Sequence, residues 1–145
     1  MAIIFEKEYE QYENLDESIF AAESEDEREA IREQFLELEK SIKGKGETYY
    51  EYFRMYARMK TRHNDHIDFS RVIWEDDVQN MVKALKAFGF RSFTVSFGYS
   101  ELPERFWELI QSGCVLVGMI EINGDPLYYD DDKLEKIHAF LFALK

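Results

Sequence analysis

Apolar residues recur at helical spacing through the first 60 positions of the chain. The first helix is predicted to be short, and its apolar residues are Phe5, Tyr9 and Tyr12. Ser24 followed three residues later by Glu27 is the pattern of a capping box, which predicts that a second helix begins there and ends before Gly44. The apolar stripe of that helix is Ile31, Phe35, Leu38 and Ile42. A third helix is predicted from Tyr49, Tyr52, Phe53, Tyr56 and Met59.

The period of the pattern changes after residue 70. A fourth helix, closed by Gly89, is predicted from Val78, Met81, Val82, Leu85 and Phe88. Strict alternation then predicts a half-buried strand over 91–97. Its inward residues are Phe93, Val95 and Phe97, and its outward residues are Ser92, Thr94 and Ser96. A short helix should follow between Pro103 and Gly113, with Phe106, Leu109 and Ile110 facing inward.

The pattern of the C-terminal segment predicts a strand, a hairpin and a helix. Cys114–Ile122 is apolar enough for a strand, and Asn123-Gly124 is a strong hairpin signal that should return the chain over 127–129. A last helix is expected to begin at Asp130–Asp132 and to run through Leu134, Ile137, His138, Leu141 and Leu144.

The fold class expected from these elements is α/β (α+β), in a single domain over residues 1–145. Its acidic N-terminal helices, residues 1–62, should pack with an α/β part, residues 70–145. That part should hold a small mixed sheet of about three strands with flanking helices, because a strand–helix–strand crossover gives parallel neighbours.

Charge limits the classes of partner. The chain carries a net charge of −12, and residues 1–53 hold sixteen Asp/Glu against six Lys/Arg. Because such a surface repels phosphate backbones, direct nucleic-acid binding is not expected, whereas a basic protein surface is a suitable partner. The longest apolar run, Cys114–Ile120, is too short to span a bilayer, so no membrane association is expected. The single cysteine excludes an internal disulfide and fits a cytoplasmic protein.

Few residues suggest catalysis or metal binding. His63 and His66, with two aspartates nearby, have some metal-ligand character, but a polar loop explains them more simply because a closed site needs further ligands. Gly98 and Ser100 follow a strand, where α/β folds bind ligands, although a turn and a helix cap are the simpler interpretation. No phosphate-binding glycine motif and no nucleophile–histidine–acid pattern is present. We therefore predict no catalytic residues, no metal and no cofactor.

The residues expected to contact a partner lie on the second and third helices. Acidic side chains at a spacing of four would form one contact row, and aromatic residues beside arginines are enriched at protein interfaces. The predicted partner-binding residues are Glu29, Glu33, Glu37, Tyr49, Tyr52, Arg54 and Arg58. Core packing is the competing interpretation for the aromatic members.

Two segments carry a resemblance to known proteins: MVKALKAFGFRSFTVSF at 81–97 and LIQSGCVLVGMIEIN at 109–123. They resemble a small uncharacterised family associated with Bacillota and their mobile elements. The resemblance is confined to the C-terminal half and implies no catalytic residues, since its positions are mostly core and turn residues. Some mobile-element proteins of this size and acidity are anti-CRISPR or anti-restriction inhibitors, which is an association by class.

The leading functional hypothesis is a non-enzymatic, acidic protein-binding module. It would act as an inhibitor from a phage or mobile element, of the anti-CRISPR type, by occupying the basic nucleic-acid-binding surface of a host defence protein. One rival is an enzyme with a ligand site at the strand ends near Gly98 and the His63/His66 loop. Another is a small cytoplasmic homodimer whose charge only keeps it in solution.

Overall fold

A computed structural model of the chain describes residues 3–69, 77–96, 102–127 and 130–145. Within these ranges the chain forms five helices and one four-stranded mixed sheet, which confirms the expected α+β class. The chain divides into two compact units. The first is residues 4–57, which fall inside the expected helical part, and the second is residues 58–145 together with Ile3.

The first unit is built from helices around an aromatic core. The helices are α1 (Glu6–Ala21), α2 (Glu25–Lys43) and α3 (Glu47–Thr61), of which α3 continues beyond the unit. The α1 helix is longer than expected, because its apolar row continues past Tyr12 through the half-buried Leu15 and Ile19. The buried aromatic residues of the unit are Phe5, Tyr9, Tyr52, Phe53 and Tyr56.

The second unit contains the sheet. Its strands are β1 (Ile67–Asp68), β2 (Ser92–Ser96), β3 (Val115–Leu127) and β4 (Asp130–Ala143), in the order β1-β2-β4-β3. The β1 and β2 strands are parallel, and the other two pairings are antiparallel. Helix α4 (Val78–Ala87) connects the parallel pair, and α5 (Leu102–Gln111) precedes β3. The left-handed glycines Gly89 and Gly113, with φ of 93° and 91°, follow the ends of these helices as expected.

The expected last helix is wrong, because residues 130–143 form the strand β4. This strand lies between β2 and β3, so its backbone groups pair with neighbours on both sides. Phe142 is fully buried, and its ring stacks on that of Phe93 with centroids 5.5 Å apart. Since these partners are distant in sequence, the local apolar spacing of Ile137, Leu141 and Leu144 did not decide the structure.

The predicted hairpin at Asn123-Gly124 is also wrong. The β3 strand runs through these residues with an irregular register and continues to Leu127, which pairs with Asp130. Asn123 lies opposite Lys136, and its side-chain amide donates a 2.8 Å hydrogen bond to the carbonyl oxygen of Arg62. Of the expected return strand over 127–129, Leu127 instead ends β3, and residues 128 and 129 lie outside the described residues.

Three smaller expectations need correction. The sheet has a fourth strand, β1, in a segment expected to be a loop. The β2 strand is not half-buried, because it lies between β1 and β4 and Thr94 is as inaccessible as Val95. The hydroxyl of Thr94 donates to the Asp68 carboxylate at 2.7 Å, which satisfies its hydrogen bonding. Ile110 of α5 is exposed rather than inward-facing. The expected burial of Phe97 falls outside the described residues.

Candidate protein-binding surface

The N-terminus of α2 is fixed by side-chain hydrogen bonds. The Ser24 hydroxyl accepts a 3.1 Å bond from the backbone N–H of Glu27, as the capping box predicts. The Glu27 carboxylate accepts in turn from the N–H of Glu23, at 3.2 Å, rather than from that of Ser24. Helix α2 therefore begins at a defined residue, and this fixes which of its side chains face outward.

One side of α2 packs against α1, and the opposite side faces solvent. Phe35 on the apolar stripe makes an edge-to-face contact with Tyr12 of α1, with ring centroids 5.6 Å apart. The carboxylates of Glu29, Glu33 and Glu37 lie off that stripe and are exposed. We call these three residues the acidic row. Consecutive members are four residues apart, so they occupy successive turns on one face, about 6 Å apart along the axis.

The acidic row differs from Glu25 and Glu39 of α2 in having no ion-pair partner within the described part of the chain. Glu25 is held by Arg32 at 3.0 Å and by Arg28 at 3.3 Å, and these hydrogen bonds, that to Arg32 foremost, lower the pKa of its carboxyl. Glu39 is held at 3.0 Å by Lys43, whose hydrogen bond is the main cause of its lowered pKa.

The unpaired row has an energetic consequence. Like charges at a spacing of four destabilise a helix by about 0.2–0.5 kcal/mol per pair at low salt. A cationic partner that contacts Glu29, Glu33 and Glu37 together would relieve that repulsion. The row is therefore better suited to external cations than the carboxylates that already have intramolecular partners.

The predicted residues of α3 do not all reach the surface. Tyr52 is only 2 % exposed and belongs to the aromatic core, so its burial removes it from the predicted contact set. Tyr49 is half-buried, and its ring lies edge-on to Phe5 with centroids 5.0 Å apart. Arg54 and Arg58 are exposed, and the Arg54 guanidinium lies 5.8 Å from the centre of the Tyr50 ring.

Tyr50 joins α3 to α2 by a hydrogen bond that the sequence did not suggest. Its hydroxyl donates to the Glu39 carboxylate at 3.2 Å, and the Lys43 ammonium lies 5.2 Å from its ring centre. Arg54 contacts the same ring, and its charge also acts on the Glu39 carboxylate, so Arg54 lies close to α2. Of the α3 residues predicted for binding in this unit, Arg54 is the one placed beside α2 and exposed.

A buried carboxylate supports the helices from within. Glu8 of α1 is 9 % exposed and accepts hydrogen bonds from the Tyr49 hydroxyl and, at 3.1 Å, from the Lys45 ammonium. Burial, followed by the neighbouring Glu8 carboxylate, raises the pKa of Tyr49. The same carboxylate raises the pKa of Lys45. These groups hold α1 against the start of α3, and we assign them a structural role.

The histidine loop has no ligand set for a metal in the described ranges. His63 is exposed, with a left-handed φ of 58°, and the Nδ1 atom of His66 lies 2.6 Å from the Ser92 hydroxyl. No group of three or more His, Cys, Asp or Glu side chains that could hold a metal ion occurs among the described residues. The Ser92–His66 pair also lacks a carboxylate contact on the histidine there, and such a contact orients catalytic histidines. Gly98 and Ser100 lie outside the described residues.

Cys114 is buried at the start of β3. Burial is the main cause of its raised pKa, which keeps the thiol protonated and poorly nucleophilic. These surroundings favour a role for Cys114 in packing rather than as a nucleophile.

One exposed apolar region was missed by the sequence reasoning. Trp107 of α5 is 63 % exposed and Met119 of β3 is 68 % exposed. A signal for Trp107 was present, because Phe106 and Leu109 define the inward side of α5 and leave Trp107 off that side. The signal for Met119 was hidden, because an apolar strand does not reveal whether it lies at the centre or at the edge of a sheet.

In the described ranges, every helix is too short or too polar to cross a membrane. Neither the curated proteins nor the solved structures contain a match to this chain. A family model described as a domain of unknown function (DUF7698) matches residues 51–144, which is more than half of the chain and includes both segments in which the resemblance was noted. Helices α1 and α2 precede the matched region. The chain therefore belongs to the DUF7698 family, a family of unknown function.

Proposed function

We propose that this protein is a non-enzymatic binding module whose acidic row contacts a basic surface on a protein partner. The observation that carries the proposal is the set of three exposed carboxylates, Glu29, Glu33 and Glu37, on successive turns of α2 without ion-pair partners among the described residues. Three anions within about 12 Å of helix axis can be contacted together by a group of lysines and arginines.

The distribution of charge supports the same proposal. Residues 4–57 carry sixteen acidic and seven basic side chains, a net charge of −9, whereas the rest of the chain carries −3. This field would steer a basic partner towards the helices rather than towards the sheet. Basic protein surfaces of this kind commonly bind nucleic-acid phosphates, so we propose that the partner handles nucleic acid and that the acidic row competes for its phosphate-binding site.

The biological setting we propose follows from the resemblance to mobile-element proteins. In that setting the protein is cytoplasmic and inhibits a host defence enzyme of a Bacillota cell by covering its nucleic-acid site, as anti-CRISPR proteins do. The single, buried cysteine is compatible with a reducing compartment. Helices α1 and α2 lie outside the family match, so the proposed activity belongs to this N-terminal addition rather than to the matched domain.

The test is capture of partners by three forms of the full-length protein. The first is the wild type, the second reverses the acidic row (Glu29→Lys, Glu33→Lys and Glu37→Lys), and the third is a matched control. The control reverses three exposed carboxylates of the second unit: Glu104, Glu121 and Glu135. Both variants change the net charge from −12 to −6, because each replacement adds two positive charges.

We expect the wild type and the control to capture the same nucleic-acid-handling protein from a Bacillota lysate, and duplex DNA to displace it. The variant with the reversed acidic row should not capture it. Equal capture by all three forms would overturn the role of the acidic row and favour a charge that serves only solubility. Capture that survives competition by DNA would overturn the proposed phosphate-binding site on the partner.

A further inference from the structure

Among the exposed apolar residues of α5 and β3, five are at least 44 % exposed. Their exposed fractions are 63 % for Trp107, 50 % for Ile110, 44 % for Leu116, 61 % for Val117 and 68 % for Met119. We call these residues the α5–β3 patch. All five belong to the second unit and to the region matched by the family model.

The sheet register places two members of the patch, Leu116 and Met119, on the face that α5 covers. Leu116 lies opposite Phe142 and Met119 lies opposite Phe140 on β4, and directly opposed residues project from the same face of a sheet. Phe106 of α5 packs against both of these phenylalanines, with ring centroids 4.7 and 4.9 Å apart. Helix α5 therefore covers this face at β4, and the apolar surface continues from the exposed side of α5 onto β3.

The β3 strand is the outer strand of the sheet order, so its far edge has no strand beside it in the described part of the chain. From Val115 to Ile120 it carries no charged residue. Exposed edges usually carry charges or proline that discourage association. The register shift between Leu116 and Gly118 places an extra residue, Val117, in β3, and this irregularity disfavours simple extension of the sheet. A partner is therefore expected to contact the side chains of β3 rather than to add a strand to the sheet.

The size of the patch is sufficient for a specific interface. A free aromatic side chain presents about 150–250 Å². Scaled by their exposed fractions, the five side chains offer on the order of 500 Å² per copy, which is the size of the largest apolar patches on monomeric proteins, and such patches are often functional. Two such patches facing each other would bury roughly 1,000 Å², the lower limit for a biological interface and the size of a weak, reversible one.

We propose that the occupant of the α5–β3 patch is a second copy of this chain, related by a two-fold axis. A two-fold interface brings the same surface of both copies together, and an uncharged apolar patch is complementary to itself. The charge distribution favours this contact, because the second unit carries a net charge of −3 whereas residues 4–57 carry −9. Copies that meet through α5 and β3 therefore bring the less charged unit together.

The test is the mass of the purified full-length protein, measured by sedimentation velocity over a dilution series. We expect a reversible dimer of twice 17.3 kDa. The substitutions Val117→Lys and Met119→Lys should give a monomer with an unchanged circular dichroism spectrum. A matched control, Phe20→Lys with Leu36→Lys, also replaces two exposed apolar residues, which are 86 % and 59 % exposed but lie in the first unit. The control should remain dimeric.

A milder variant keeps the test decisive if the lysines disturb folding. Trp107→Ala removes the largest side chain of the patch at an exposed position. Because tryptophans at an interface often dominate its affinity, this change should raise the dissociation constant of the dimer by about tenfold or more. A wild type that is monomeric at every concentration overturns the proposal and leaves the patch to a different protein. A dimer that survives both patch variants in folded form overturns it as well. The measurement needs no basic partner, so its outcome is independent of the proposed function.

Discussion

Replacement of Phe142 by alanine tests the strand assignment of the C-terminal segment. Phe142 is fully buried in β4, stacks on Phe93, and is met edge-on by Phe106 at a centroid distance of 4.9 Å. Leu144, which follows the end of β4, is only partly buried. If the segment were a helix with the apolar stripe read from the sequence, Leu144 would be buried and Phe142 would face solvent. Replacement of Phe142 should therefore cost more stability than replacement of Leu144 if the segment is a strand, and less if it is a helix.

The expected loss of stability follows from the burial and the ring contacts. A buried phenylalanine truncated to alanine costs about 3–5 kcal/mol, because apolar contact is lost and a cavity is left. Full burial and two aromatic partners place Phe142→Ala in the upper part of that range, since each ring pair contributes about 0.5–1.5 kcal/mol beyond its area. In a solvent-facing helical position the same change would cost about 0.5 kcal/mol or less. Leu144→Ala should cost roughly 1 kcal/mol.

The assay is urea unfolding followed by tryptophan fluorescence. Both tryptophans, Trp74 and Trp107, lie at sequence positions in the second unit, so the signal reports on the unit that contains the sheet. Phe142→Leu, which keeps most of the volume but removes the ring contacts, should lose roughly 1.5 kcal/mol and provides a folded variant if the alanine form does not fold. A Leu144→Ala form less stable than Phe142→Ala would refute the β4 register.

Two further predictions concern protons and metals. Burial, followed by the neighbouring Glu6 carboxylate, raises the pKa of Tyr56 to about 12 from its ordinary value of 10.0. The folded state then holds this proton more tightly than the unfolded chain, so the contribution to stability is complete below pH 10 and is lost as the pH rises towards 12. The free energy of unfolding should therefore fall between pH 10 and pH 12, and it should fall less in Tyr56→Phe. An equal fall in both proteins would show that Tyr56 does not cause it. Purified protein should carry no stoichiometric zinc or manganese, and one equivalent lost in a His63→Ala/His66→Ala variant would show the loop to be a metal site.

The helices were predictable because their signals are local. Ser24 caps α2 with the hydrogen bond that the sequence pattern implies, and the periodic residues of α4 are the ones that are buried. The exposure of Glu29, Glu33 and Glu37 followed from the same periodicity. These features depend on contacts within a few residues, which a single sequence contains.

The C-terminal strands were not predictable in the same way, because their partners are distant in sequence. The segment around Ile137 and Leu141 has apolar residues at spacings that fit a helix as well as a strand, and pairing with β2 and β3 decides between them. Asn123 is typical of a turn, but its backbone N–H and carbonyl exchange hydrogen bonds with the side chain of Asn64. Its side-chain amide donates to the carbonyl oxygen of Arg62, and these bonds hold the loop after α3. The Asn123-Gly124 pair therefore predicts a local turn, whereas in the structure Asn123 makes hydrogen bonds to residues about sixty positions away.

The candidate surface was only partly predictable. The acidic row was found because charge and helical spacing are visible in the sequence. Aromatic residues beside arginines predict an interface that includes Tyr52, but this side chain faces the aromatic core at 2 % exposure. Helical periodicity alone could not separate the two, since Tyr49 and Tyr52 lie three residues apart on adjoining parts of one face.

The most direct measurement of the central claim is the rate of association with the captured partner at increasing salt concentration. If the acidic row steers binding, the association rate of the wild type should fall at least about tenfold as ionic strength rises from about 0.05 to 0.3 M, because exposed charges are screened over this range. The variant with Glu29, Glu33 and Glu37 reversed should associate slowly at every salt concentration, while the Glu104/Glu121/Glu135 control should follow the wild type. A folded acidic-row variant that associates as fast as the wild type at low salt would contradict the account.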